Sequence, residues 1–186
     1  MTDFLRMTVV FFATVNPFAV MLASRDLPHG RRRIAAITAG IGLGIATGLL
    51  ALAAAAADPL LDFLDVAPET FRLAAGVVML TAAVHVVWRG RMAAAPALGD
   101  WKDGVFPLAL PLLAGPAALV AAVSYGAGEG PWLTFLAAMP WLAVAAALAW
   151  LGPSKRLAWA DALARITGAL LVAAAAGLIV DGVRAI

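Results

Sequence analysis

Asn16-Pro17 and Gly115-Pro116 each interrupt a long apolar run, and Pro107 and Pro111 stand just ahead of the second pair. Asparagine and glycine are favoured immediately before a helix and proline in its first turn, so each pair marks a helix that begins afresh inside its run. Proline lacks an N–H and its ring clashes with the preceding turn, so a continuous helix through Pro107, Pro111, Leu112, Leu113, Ala114, Gly115 and Pro116 is costly. A fresh helix start leaves N–H groups unpaired at the positive end of the helix dipole. Such ends bind carboxylates, and unwound carbonyls beside them accept hydrogen bonds from an ammonium group. The guest this chemistry suits is a small zwitterion, with Asn16, Pro17, Pro111, Leu112, Leu113, Ala114, Gly115 and Pro116 as candidate binding residues. The alternative is that each proline only kinks its helix while neighbouring helices satisfy the freed backbone groups.

The elements that must carry these breaks are membrane spans. The chain is 64% hydrophobic and 13% charged, where a soluble domain carries about 25% charged residues. Stretches free of charge, or nearly so, run over 4–23, 34–57, 71–88, 104–123, 132–151 and 162–180. Each has the length that roughly 30 Å of hydrocarbon requires of a helix. Polar residues do not recur every third or fourth position, which excludes a soluble bundle, and the Ala/Leu/Val runs lack the short alternation of a membrane barrel. The predicted fold is an all-α integral membrane protein of six transmembrane helices, a single domain over 1–186 with broken first and fourth helices. Asn16 lies about twelve residues into its span, or ~18 Å at 1.5 Å per residue, close to the midplane.

Six spans place the termini and the even loops on one side and the odd loops on the other. Arg25, Arg31, Arg32, Arg33, Arg89, Arg91, Lys102, Lys155, Arg156 and Arg165 fall on or near the odd loops, against Arg6, Arg72 and Arg184. The positive-inside bias therefore predicts cytoplasmic odd loops and both termini outside, with Trp88, Trp101, Trp150 and Trp159 as an aromatic belt at the cytoplasmic rim. The basic balance follows from topology and anionic lipid and implies no nucleic-acid partner. Arg25, Arg31, Arg32 and Arg33 follow the first apolar run, the reverse of the charge order in a secretory signal.

Two halves, about 1–92 and 102–186, read as weak copies of each other. Asn16-Pro17 corresponds to Gly115-Pro116, and Gly76 and Gly90 recur 92 residues later as Gly168 and Gly182. Each half holds an odd number of spans, so the second copy enters the membrane from the opposite face, as in the inverted repeats of many secondary transporters.

The remaining polar residues in the spans are few. Arg72 and Arg165 stand near the starts of the third and sixth spans, where snorkelling to the headgroups or a lock between the repeats accounts for them. His85 lies within a turn of Trp88, which favours a hydrogen-bonding role at the interface over proton carriage. Asp181 stands at the outer end of the last span, where it caps the exit. Gly40, Gly44 and Gly48 form a stripe that permits close packing against another helix of the chain, with a homo-oligomer seam as the second use. There is no cysteine, the two histidines are far apart, and no nucleophile stands with a base, so neither a metal, a cofactor nor catalysis is expected.

The run Pro107-Leu108-Ala109-Leu110-Pro111-Leu112-Leu113-Ala114-Gly115-Pro116-Ala117-Ala118 resembles the signature of the MarC family. The resemblance extends to Asn16-Pro17, to Phe71-Arg72-Leu73-Ala74-Ala75-Gly76, and to Arg165-Ile166-Thr167-Gly168 with Asp181-Gly182, nearly the whole chain. It implies a six-span bacterial inner-membrane protein, with transport of small neutral amino acids as the function described for some members. The chain departs from the family where a glycine and a further proline usually follow Asn16-Pro17, and where Ala117 replaces a usual glycine; these bulkier residues narrow the space beside the breaks. The expectation is a transporter or exporter of a small solute working by alternating access. A channel lined by the same breaks and a structural subunit without transport are the alternatives, and counterflow separates the first of these from the transporter.

Overall fold

The computed structural model describes residues 2–23, 32–89, 101–151 and 158–185. Gly90, His29 and the basic residues Arg25, Arg31, Arg91, Lys155 and Arg156 lie outside the described residues. The described residues form helices and no strand: α1 (Thr2–Val15), α2 (Pro17–Ala23), α3 (Arg32–Ala55), α4 (Ala57–Leu64), α5 (Pro68–Arg89), α6 (Pro116–Glu129), α7 (Pro131–Leu151) and α8 (Ala158–Ala185), with an irregularly wound stretch over Trp101–Gly104 and Val105–Leu113 before α6. Five helical segments are long and apolar enough to cross a membrane, α1 and α2 counting as one. The segment ahead of α6 and α6 itself, bent by 63° at their junction, make a sixth if taken as one broken span.

α4 is the one element the charge pattern hid. Asp58, Asp62 and Asp65 make 58–70 read as a polar loop, yet the segment winds a short helix that buries Ala57 and Leu61. It ends at Asp65 in the left-handed region (φ 52°), where the Asp65 and Val66 N–H groups bond back to Asp62 and Leu61.

The helices pack in pairs that exchange when the two halves are exchanged. α5 lies along α8, and α3 along α7. α1 and α2 pack on α7 as the Trp101–Leu113 stretch and α6 pack on α3, and α2 touches α8 as α6 touches α5. The glycines record the same exchange at atomic scale. A Cβ on Gly76 would lie 2.6 Å from Ile179 Cγ1, and one on Gly168 would lie 3.1 Å from Val87 Cγ2. Both the glycines and their contacts are 92 residues apart, so α5 and α8 cross as antiparallel equivalents.

The core is built of small side chains, with Ala46, Ala83, Ala121, Ala122, Ala145 and Ala175 buried around the larger Phe11, Met79, Leu112 and Leu142. Small residues let backbones approach where no hydrophobic force holds helices together in lipid. The predicted glycine stripe is a correction: Gly40, Gly44 and Gly48 are exposed, and a Cβ on any of them would meet nothing within 4 Å. Gly42 instead lies inside, where an added Cβ would stand 2.7 Å from Leu108 Cδ2. Gly42 stands on the opposite side of α3 from the other three glycines, and it is that side that packs internally. Trp88, Trp150 and Trp159 stand exposed at the ends of α5 and α7 and the start of α8, as a rim belt requires.

Candidate functional site

At the first break the sequence forces a local restart. Asn16 takes a positive φ of 43°, a conformation asparagine tolerates better than most residues. Its carboxamide oxygen accepts the Ala19 N–H at 3.1 Å, the cap expected of it, and its Nδ2 donates to the Ala164 carbonyl of α8 at 3.0 Å. The backbone on either side stays bonded, Asn16 N to Phe12 O and Val20 N to Asn16 O. Asn16 is wholly buried and both ends of its amide are taken, so here it fastens α2 to α8.

The second break is more open. Phe106 and Leu110 are extended and their bonds to Pro107 and Pro111 are cis. Ala114 N bonds to Ala109 O across a wide turn, and Gly115 (φ −72°, ψ 166°) turns the chain into Pro116. Gly115 O accepts from Leu119 N, but glycine offers no side chain to cap the first N–H groups of α6. That bare helix start faces a cavity of about 390 Å³ walled by Thr14 of α1, by Val78, Thr81, Ala82 and His85 of α5, and by Pro111, Gly115, Pro116 and Ala117. The volume falls at the lower end of the ~300–1,000 Å³ usual for small-molecule sites. Thr14 Oγ1 donates to Phe11 O at 3.2 Å and Thr81 Oγ1 to Val78 O at 2.7 Å, so both hydroxyl protons are already committed and the oxygens are left as acceptors.

Of the residues singled out from sequence, Pro111, Gly115 and Pro116 line this cavity. Leu112, Leu113 and Ala114 are buried behind it, and Asn16 and Pro17 are buried at the other break. The two helix starts therefore do not share one cavity: α6 opens toward α5, while the start of α2 is tied to α8. His85, expected at the rim, is in the cavity wall. Thr14 and Thr81 were missed. A signal existed in the spacing of Val78, Thr81, Ala82 and His85, which follows one face of a helix.

The charged residues act at the ends of the helices. Arg165 donates to the Val87 carbonyl at 2.7 Å and the Trp88 carbonyl at 3.2 Å while pairing with Asp161, so it locks α8 to the last turn of α5. At the opposite end Asp181 does more than cap its helix, since it pairs with Arg6 and joins α8 to α1. Arg72, Tyr125, Glu129 and Asp3 surround that pair about a space of some 50 Å³, and the buried Tyr125 hydroxyl has no hydrogen-bond partner among the described residues. Among the described residues no group of histidines and carboxylates has the arrangement to hold a metal ion.

Apolar spanning helices, an alanine core and a broken helix at mid-span define a multi-pass all-α integral membrane protein. The family model described as MarC family integral membrane protein matches residues 1–186, and the chain belongs to that family. No curated protein and no solved structure matches it.

Proposed function

We propose that this protein is a transporter or exporter of a small solute, most simply a small neutral amino acid, working by alternating access. The observation that carries the reading is the cavity at the uncapped start of α6, whose wall also carries Thr14 and Thr81. A carboxylate suits the helix start and an ammonium group suits the two hydroxyl oxygens. The exchange of packing partners between the halves supports two inverted repeats, about 1–92 and 102–186, rocking about this site. The basic odd loops favour both termini outside, and the family resemblance implies a bacterial inner membrane. Nothing in this reading requires catalysis, and its partners are the solute and the lipid.

Equilibrium binding of labelled alanine to the purified protein tests the site. Saturable binding is expected for the wild type. Ala82→Phe, which extends a ring from a half-buried wall position into the cavity, is expected to weaken binding by more than about tenfold, on the order of 1.4 kcal/mol. Unchanged binding in a folded Ala82→Phe variant would remove the cavity from the account.

A further inference from the structure

We propose that His85 is the proton-binding group that couples solute movement to a proton gradient, an inference that rests on the transport reading and adds the coupling ion to it. Among the described residues His85 is the only titratable side chain on the wall of the cavity, and it shares that wall with the Gly115–Pro116 break. Among the described residues its imidazole takes no hydrogen bond and no ion pair, although it is half-buried. The neighbouring hydroxyls of Thr14 and Thr81 already donate to backbone carbonyls, so they accept but do not donate toward the space.

Proton binding therefore changes the character of the cavity. A neutral imidazole has one N–H and one lone pair, whereas the protonated ring has two N–H donors and a full positive charge. That charge attracts a carboxylate guest in the cavity. Loading of the proton and loading of the zwitterion thus favour each other. The step is a simple transfer: a proton from water on one side occupies the imidazole lone pair and returns to water on the other, with no covalent change in the solute.

No other group among the described residues around the cavity competes for this role. On α8, Asp161 and Arg165 are paired with one another and Arg165 also holds the Val87 and Trp88 carbonyls, while Asp181 and Arg184 lie at the far end. On α6 the charged residue is Glu129, at the opposite terminus from the cavity. On α5 itself Glu69 and Arg72 stand in the first turns and Arg89 at the last residue. Asp3 and Arg6 lie at the distant start of α1, and Lys102 and Asp103 at the start of the irregular stretch, and none of these lines the cavity.

The test uses purified full-length protein in proteoliposomes with labelled alanine, read both as counterflow at equal pH and as accumulation under an imposed pH difference. For one proton per solute, a difference of one pH unit drives an accumulation ratio toward about tenfold. The wild type is expected to show counterflow, to accumulate alanine, and to move protons with it, as reported by a pH dye in weak buffer. His85→Gln is expected to slow counterflow yet leave it measurable, while the accumulation ratio falls to about one. Accumulation that persists in His85→Gln overturns the proposal. Wild-type counterflow with no response to the pH difference and no dye signal overturns coupling while leaving the transport reading intact. Absence of counterflow in the wild type overturns both.

Discussion

Gly126→Ala is expected to destabilise the purified protein by about 1–3 kcal/mol, the range for overpacking a well-filled interface. The added Cβ would lie 2.5 Å from Ala54 O, 2.8 Å from Ala54 Cα and 3.0 Å from Ala54 C. These are backbone atoms of α3 and no side-chain rotation moves them aside, so α3 and α6 must separate at this contact. Gly48→Ala is the control on α3 itself, because it is exposed and a Cβ there meets nothing within 4 Å. It is expected to be neutral or to gain up to about 1 kcal/mol from the better helix propensity of alanine. Thermal unfolding in one detergent reads both, and equal melting of Gly126→Ala and wild type would contradict the packing described.

The second large effect is expected at Asn16. Asn16→Ala removes the cap on Ala19, worth about 1 kcal/mol, and the hydrogen bond to the Ala164 carbonyl, worth about 0.5–1.5 kcal/mol. Alanine also tolerates the positive φ less well than asparagine, although both carry a Cβ there. The total is on the order of 2 kcal/mol. Asn16→Gly loses the same hydrogen bonds but adopts the backbone freely, so its stability should fall between those of the wild type and Asn16→Ala. That order separates the backbone term from the side-chain term. An alanine variant as stable as the wild type would contradict it, as would one more stable than the glycine variant.

These two positions also show what could be read from the chain alone. The spans and both breaks were legible because charge and proline are strong signals in lipid: few residues besides Asn16-Pro17 and Gly115-Pro116 can stop a helix in mid-membrane without a charge. The capping role of Asn16 followed from its type and place. Its bond to Ala164, 148 residues away, did not, since no local spacing encodes it. The side of α3 that packs was misread for a related reason. When lipid and core are both apolar, the sequence does not distinguish the faces of a helix, so Gly40, Gly44 and Gly48 looked as suited to the interior as Gly42.

The candidate site was legible in part for the same physical causes. Pro111, Gly115 and Pro116 announce their irregular backbone, and they line the cavity. Thr14 does not announce itself, and the helical spacing of Thr81 and Ala82 with His85 gives only a shared face, because threonine and alanine are ordinary in a transmembrane helix and only the fold brings α1 and α5 to the same wall. Counting residues to Trp88 gave no sign that His85 shares a cavity wall with the Gly115–Pro116 break. Arg6 and Asp181, 175 residues apart, could be paired only once α1 and α8 were seen side by side.

The central claim is that a small solute occupies the cavity at the start of α6 and crosses the membrane from there. Counterflow of labelled alanine and glycine into proteoliposomes containing the purified wild-type protein tests it most directly, with Ala82→Phe vesicles alongside. The account predicts a transient overshoot of label in wild-type vesicles preloaded with unlabelled solute, and its loss in Ala82→Phe protein that still melts cooperatively. Wild-type vesicles indistinguishable from empty ones would contradict the assignment of these solutes, and an undiminished overshoot in Ala82→Phe would contradict the site.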